Sequence, residues 1–160
     1  MEAALGREDA GGMARHRQGR VEDGAIVGRH TADEQENSHL VTDEEYEDFT
    51  LRLKFKTVKG NSGVYFRIEQ KGGSGVSGFQ AEIDPHQEAG GLYETNGRAW
   101  VVQHTPKQVA TWFNPGQWNE MTISARRTKI TVTVNGHVSA DIDDLQGRRR
   151  QHRPPTSRRA

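Results

Sequence analysis

The feature that most constrains the fold is a pair of alternating stretches on either side of Asn135 and Gly136. The segment WNEMTISARRTKITVTVNGHVSADI puts Ile130, Val132 and Val134 on one side of a strand, with polar residues between them. A two-residue period is typical of a strand with one buried face, and Asn-Gly is the preferred pair for a type I′ hairpin turn. The chain therefore contains at least one antiparallel hairpin with an apolar inner face.

The same alternation recurs earlier in the chain. In FTLRLKFK, beginning at Phe49, every second residue is apolar, and GVYFRIE and GFQAEID repeat the pattern. The Asp23-Gly24 pair in VEDGAIVGR indicates a further small hairpin. No segment of ten or more residues has a helical period, and strands joined by Gly-rich turns at about 8 to 12 residues are typical of sandwiches and barrels. The pattern predicts an all-β sandwich.

The distribution of charge argues against one class of partner. The net charge is zero, but six of the 22 basic residues lie in 146–160, which holds no acid, so the other 145 residues carry 16 basic against 22 acidic side chains, a net of −6. Nucleic-acid binding needs a basic face, so we expect none by the folded part. The Arg-rich segment is interpreted as a disordered tail of biased composition, with weak RNA binding as the alternative.

Other sequence features limit the remaining classes of function. The chain has no cysteine, which excludes a disulfide framework and a thiolate site for metal or catalysis. No stretch is apolar over the length of a membrane-spanning helix, and no signal peptide is recognisable at the N-terminus. We predict an atypical or unstructured segment over 1–20, a β-sandwich domain over 21–145 and a basic disordered tail over 146–160.

One strand carries a row of ionisable side chains. In GFQAEIDPHQEAGGLYE, Glu82, Asp84 and His86 fall on alternate positions, opposite the apolar Phe79, Ala81 and Ile83. Periodicity alone places this row outside the core, as the solvated face of a sheet. Two carboxylates about 6.5 to 7 Å apart on one face also suit an acid–base pair. His86 follows a proline and is either a loop residue or a third member of the row.

Five segments together carry a family resemblance. YEDFTLRLKFK, GNSGVYFR, GFQAEID, GGLYE and NPGQWNEMTISARRTKITVTVNG occur in the order and spacing of the 3-keto-disaccharide hydrolase family, which the chain resembles from about Val21 to Leu145. The resemblance implies a concanavalin-like jelly-roll β-sandwich, often secreted by bacteria. It also implies hydrolysis of 3-keto-glycosides by removal of the C2 proton, elimination of the C1 group and addition of water.

The resemblance assigns roles to residues of the row and its neighbours. Glu82 is the expected general base, with Asp84 or His86 as its partner, and a divalent cation beside Asp84 and His86 is compatible with these residue types. Arg67 is expected to polarise the C3 ketone or to anchor Glu82 by a bidentate ion pair. The expected carbohydrate-binding residues are Arg67, Tyr65, Gln80, Tyr93 and Trp100, and Trp112 is a further candidate for stacking on a sugar ring.

The two ends of the chain depart from the family pattern. The family continues after its acidic loop with closing strands, whereas RRRQHRPPTSRRA contains adjacent prolines and no apolar alternation. We therefore expect the sandwich to lack closing strands, and the Arg-rich end is interpreted as translation out of frame. Two alternatives to the hydrolase stay open: a carbohydrate-binding module without turnover, and an inactive truncated family member.

Overall fold

The alternating segments form strands of two packed sheets in a computed structural model, which describes residues 2–6, 13–14, 19–29, 39–72, 75–85 and 88–145. In chain order the strands are β1 Glu2–Gly6, β2 Met13–Ala14, β3 Gly19–Glu22, β4 Ala25–Arg29, β5 Val41–Thr42, β6 Phe49–Lys59, β7 Ser62–Gly72, β8 Gly75–Ile83, β9 Leu92–Thr95, β10 Ala99–Val102, β11 Asn119–Arg126, β12 Lys129–Val134 and β13 His137–Asp143. A single described helix, α1, spans Pro106–Val109.

The strands form one larger and one smaller antiparallel sheet. The larger sheet has the order β13-β12-β11-β6-β1-β4-β3, and the smaller has the order β10-β9-β8-β7, while β2 and β5 form a separate short pair. The smaller sheet is built from strands that follow one another in sequence. It contains the row with Glu82, so its pairing sets the geometry of the candidate site.

The core lies between the two sheets. The larger sheet contributes Phe55, Met121, Ile123, Ile130, Val132 and Val134, each at most 1% exposed, and the smaller sheet contributes Phe79, Ala81 and Leu92. The rings of Phe49 on β6 and Phe66 on β7 meet edge to face, with centroids 5.9 Å apart. Burial of apolar rows from both inner faces is the dominant stabilising term in such a sandwich. The predicted all-β jelly-roll sandwich is confirmed.

Most strands agree with the sequence pattern, and the differences have local causes. Both predicted hairpins form, with positive φ angles at Asp23, Gly24, Asn135 and Gly136. The segment after Thr105 contains the short helix α1, for which the sequence shows no helical period; a capping box between Thr105 and Gln108 satisfies its first turn.

The N-terminal segment is the other difference from the sequence pattern. The sequence indicated no regular structure for 1–20, yet the structure has β1, β2 and the start of β3 there. Strand β1 pairs with β4 on one side and with β6 on the other. Hydrogen bonding on both sides can form a strand where the local sequence pattern is weak. The segment 146–160 lies outside the described residues.

A buried asparagine organises the loop between α1 and β11. Asn119 is fully buried; its Oδ1 accepts hydrogen bonds from the Asn114 N–H and from Asn135 Nδ2, and its Nδ2 donates to the Asn114 and Gln117 carbonyls. Asn135 Nδ2 also donates to the Trp112 carbonyl at 2.7 Å. Every polar atom of the Asn119 amide thus has a partner, which makes the network stabilising despite its burial.

A buried ion cluster joins the smaller sheet to the end of β13. The Arg98 guanidinium binds the Glu94 carboxylate through Nε and the Asp144 carboxylate through Nη2, the latter at 2.9 Å. Glu94 is 5% exposed and Asp144 is 2% exposed. Arg98 also lies 5.5 Å from the centre of the Phe79 ring. The cluster ties the β9–β10 turn to a residue 46 positions later in the chain.

Replacing Asn119 by alanine should destabilise the fold by about 2 to 4 kcal/mol, because the part-buried backbone groups of Asn114 and Gln117 and the Asn135 amide lose a hydrogen-bond partner. Urea unfolding measures the change. The matched control is Asn114→Ala, since Asn114 contacts Asn119 through its backbone and that contact survives the substitution. Equal stability of the two variants would contradict this account of the network.

Candidate functional site

Glu82 lies outside the core and is nevertheless buried. Its neighbours along β8, Ala81 and Ile83, face the core at 0% and 2% exposure, so the Glu82 side chain points to the opposite face of the smaller sheet. Only 5% of Glu82 is exposed. The sequence predicted the direction of this side chain correctly. The solvated face of the sheet that periodicity predicts is, however, covered at this position.

Two glycines beside Glu82, one on β7 and one directly before β9, explain how Glu82 is enclosed. Gly63 on β7 is directly opposite Glu82, and on the other side the Glu82 N–H donates to the Gly91 carbonyl at 2.9 Å. A β-carbon on Gly63 would come within 2.6 Å of Gln80 Cγ, and one on Gly91 would come within 3.0 Å of Trp100 Cζ3. The Gln80 side chain and the Trp100 indole therefore occupy the space beside Glu82 that larger residues would fill.

A row of polar and aromatic side chains crosses the same face of the sheet. Tyr65 pairs with Gln80, Gln80 with Tyr93, and Tyr93 with Trp100 in the strand registers. The rings of Tyr93 and Trp100 meet edge to face, with centroids 5.2 Å apart. The Tyr65 hydroxyl is 3.3 Å from Thr95 Oγ1. Four of the five expected carbohydrate-binding residues thus form one continuous surface next to Glu82.

The surroundings of Glu82 favour its protonated form. Burial is the largest cause that raises the pKa of the Glu82 carboxyl from its ordinary value of 4.5 to about 7, and the charges of Glu88 and Asp84 act in the same direction. A hydrogen bond from Asn61 Nδ2 to Glu82 Oε2, at 3.3 Å, opposes this rise. A carboxyl with a pKa near neutrality can both accept and donate a proton under physiological conditions.

The remaining predicted residues have different positions relative to Glu82. Asp84 follows the end of β8 on the same row and is half-buried, whereas His86 lies outside the described residues. Arg67 has a φ of +50° at a break in the β7–β8 register, four residues along β7 from the partner of Glu82. Its guanidinium contacts the Glu47 carbonyl and Asp48, at 3.4 and 3.7 Å. The bidentate Arg67–Glu82 pair considered from the sequence is not formed.

Trp112 belongs to the core and not to the candidate sugar-binding surface. It is 8% exposed, and its Nε1 donates to the Ala89 carbonyl at 3.1 Å. The alternative that it stacks on a sugar is therefore wrong. Among the described residues, no group of three or more His, Asp and Glu side chains is arranged to hold a metal ion.

Sequence reasoning missed the residues that shape the site around Glu82. It gave Asn61, Gly63 and Gly91 no role in the site. Their effect depends on which strands lie beside β8, and a period along one strand does not contain that information. The GNSG and AGG segments are the local signal, since glycine beside a strand marks a close approach of neighbouring groups.

Stability should depend on pH through Glu82. Because its pKa is higher in the folded protein than the ordinary 4.5, the folded state binds this proton more tightly. The contribution of Glu82 to the free energy of unfolding should therefore be complete below about pH 4.5 and should fall as pH rises to about 7.

In the Glu82→Gln variant, residue 82 cannot lose a proton. The free energy of unfolding of the variant, relative to that of the natural protein, should therefore increase by up to about 3 kcal/mol between about pH 4.5 and pH 7. Chemical denaturation at several pH values measures this difference. A difference between the two proteins that is the same at pH 5 and pH 8 would contradict the burial argument.

No helix in the described part of the chain is long and apolar enough to cross a membrane.

No curated protein matches the sequence. Two solved structures from Parabacteroides distasonis, each described as a "putative glycosyl hydrolase", have similar folds. The first has a TM-score of 0.60 and 24% sequence identity, and the match covers 82% of this chain and 66% of that protein. The second has a TM-score of 0.57 and 21% sequence identity, and the match covers 84% of this chain and 68% of that protein.

The chain thus spans about two thirds of either relative. At these identities the two structures support the fold alone. A sequence model of the 3-keto-alpha-glucoside-1,2-lyase-like domain matches residues 6–159, which is nearly the whole chain. The family resemblance drawn from the five segments is thereby confirmed, and the chain belongs to the 3-keto-alpha-glucoside-1,2-lyase-like domain family.

Proposed function

We propose that the protein cleaves 3-keto-glycosides at the face of the smaller sheet, with Glu82 as the general base. The observation that carries this proposal is a buried carboxyl outside the core, beside two glycines whose missing side chains leave space for Gln80 and Trp100. No described cationic side chain pairs with Glu82; a buried acid of this kind is costly to a fold, and such acids are concentrated at functional sites. Family membership supports 3-keto-glycosides as the class of substrate.

The chemistry requires one well-placed base. A ketone at C3 makes the C2 proton acidic; Glu82 accepts this proton, the electron pair forms the C1–C2 double bond, and the C1–O bond breaks. The leaving oxygen takes up a proton, and water then adds hydrogen at C2 and hydroxyl at C1. A base with a pKa of about 7 is well matched to this task at neutral pH.

The other groups of the row have supporting roles in this proposal. Asp84, two residues further along the same face, is the partner carboxyl, and Gln80 offers an amide to sugar hydroxyls. Tyr93 and Trp100 provide apolar ring faces of the kind on which pyranose rings stack. Arg67, held by Asp48, contributes positive charge further along the face and not at Glu82 itself.

Glu82→Gln should abolish turnover while preserving the shape of the site. Incubation with a 3-keto-glucoside, followed by loss of the ultraviolet absorption of the ketone in alkali, measures the rate. We expect a fall of at least about 100-fold, in the range for removal of a general base. Glu120→Gln is the control, because Glu120 is an exposed glutamate paired with Lys54 on the larger sheet. Unchanged turnover in Glu82→Gln would remove Glu82 from the mechanism.

The second candidate function is sugar binding without turnover, which the adjoining rings of Tyr93 and Trp100 favour.

Calorimetry with a 3-keto-glucoside, carried out on proteins that also carry Glu82→Gln, measures binding alone. Trp100→Ala should raise the Kd about tenfold through loss of ring contact. Trp118→Ala is the matched control, since Trp118 is 48% exposed on the loop before β11. Equal effects of the two substitutions would contradict a sugar surface at Trp100.

A further inference from the structure

Asn61 contacts the carboxyl of Glu82 from the turn between β6 and β7. It directly precedes β7, and its Nδ2 donates to Glu82 Oε2 at 3.3 Å. The tight part of the turn is made by Gly60, whose φ is +87°, while Asn61 is not among the residues with positive φ. The backbone of the turn therefore does not explain why an amide side chain occupies this position.

An amide donor has a specific effect on a carboxylate in these surroundings. The charged groups that face Glu82 from the described elements are Asp84, after the end of its own strand, and Glu88, in the following loop, and both disfavour its ionised form. The residues beside Glu82 on its two sides are Gly63 on β7 and Gly91 directly before β9. Neither glycine has a side chain that could interact with the carboxyl. Asn61 is the group on this part of the sheet that favours the ionised carboxyl.

We infer that Asn61 is a positioning residue for Glu82, whose amide holds the carboxyl in one orientation and favours its proton-accepting form. The inference rests on the proposed function of Glu82 as the base. Asn61 acts through Glu82 and need not touch the sugar, so its effect is a change in the fraction of enzyme that is ready to react. A purely structural role in the turn would lower stability without changing the titration of Glu82.

The direct test is titration of Glu82 in protein labelled with ¹³C at glutamate carboxyls, with the resonance assigned by its loss in Glu82→Gln. Three variants are compared: Asn61→Ala, Asn61→Asp and the control Asn114→Ala, an exposed asparagine that contacts Asn119 through its backbone. Asn61→Ala removes the donor, and Asn61→Asp keeps the shape but adds negative charge. The titration midpoint should rise in Asn61→Ala, rise further in Asn61→Asp and stay unchanged in Asn114→Ala.

The pH dependence of turnover gives a second readout. In Asn61→Ala the acid limb of kcat/KM should move to higher pH, so that activity at pH 6 falls about threefold relative to the natural protein. The ratio should approach one above pH 8, where Glu82 is ionised in both proteins. A structural defect would instead lower the rate by the same factor at every pH.

The two measurements separate this inference from the proposed function. A Glu82 titration midpoint that does not rise in Asn61→Ala and Asn61→Asp, with the fold intact by circular dichroism, overturns the role of Asn61 whatever the turnover. A midpoint that rises while the acid limb stays in place overturns Glu82 as the base and leaves the Asn61 contact established. A shift in both supports the inference.

Discussion

The arrangement of the candidate site depends on the fully satisfied amide of Asn119. From this residue a chain of hydrogen bonds runs through Asn135 to the Trp112 carbonyl, and the Trp112 indole in turn donates to Ala89. Ala89 belongs to the loop whose Gly90 and Gly91 form backbone hydrogen bonds with Glu82. A buried polar network thus connects the hairpin of the larger sheet to the strand that bears the carboxyl. Because a partly satisfied network would be worse than an apolar one, this connection specifies one position for the loop.

Two buried glutamates of the smaller sheet show how environment separates structure from chemistry. Glu94 faces the core side. It lies opposite Phe79 in the β8–β9 strand register and forms an ion pair with Arg98. Glu82 faces the other side, and among the described side chains the neutral amide of Asn61 donates a hydrogen bond to its carboxyl. Glu94 forms an ion pair with Arg98, whereas the Glu82 carboxyl, held by an amide beside two other acids, has a raised pKa and takes up a proton readily. Residue type and burial are the same, so the difference between the two carboxyls comes from their partners.

The parts of the fold that could be predicted from sequence are those in which a local pattern determines the outcome. Alternation gave the inner faces of β6, β11 and β12 and the outward direction of Glu82, and Asn135-Gly136 gave its hairpin. Arg67 could not be placed, because a backbone with positive φ interrupts the register and turns its guanidinium toward Asp48. The burial of Glu82 could not be predicted either, since it arises from a glycine on β7, a glycine directly before β9 and a tryptophan on β10. These are relations between distant segments, and periodicity within a segment does not encode them.

The ion cluster at Arg98 also has a consequence for the order of assembly. The strands of the smaller sheet are consecutive in sequence and can pair early, as local contacts form fastest. Two of their anchors, however, come from late segments: Asp144, which binds Arg98, and Ser139, against which Gly90 packs. Asp144 and Ser139 are synthesised after all four strands of the smaller sheet, so both anchors require the last strand of the larger sheet. The contact of the loop beside Glu82 with Ser139 therefore depends on β13, whereas the strand pairing around Glu82 does not.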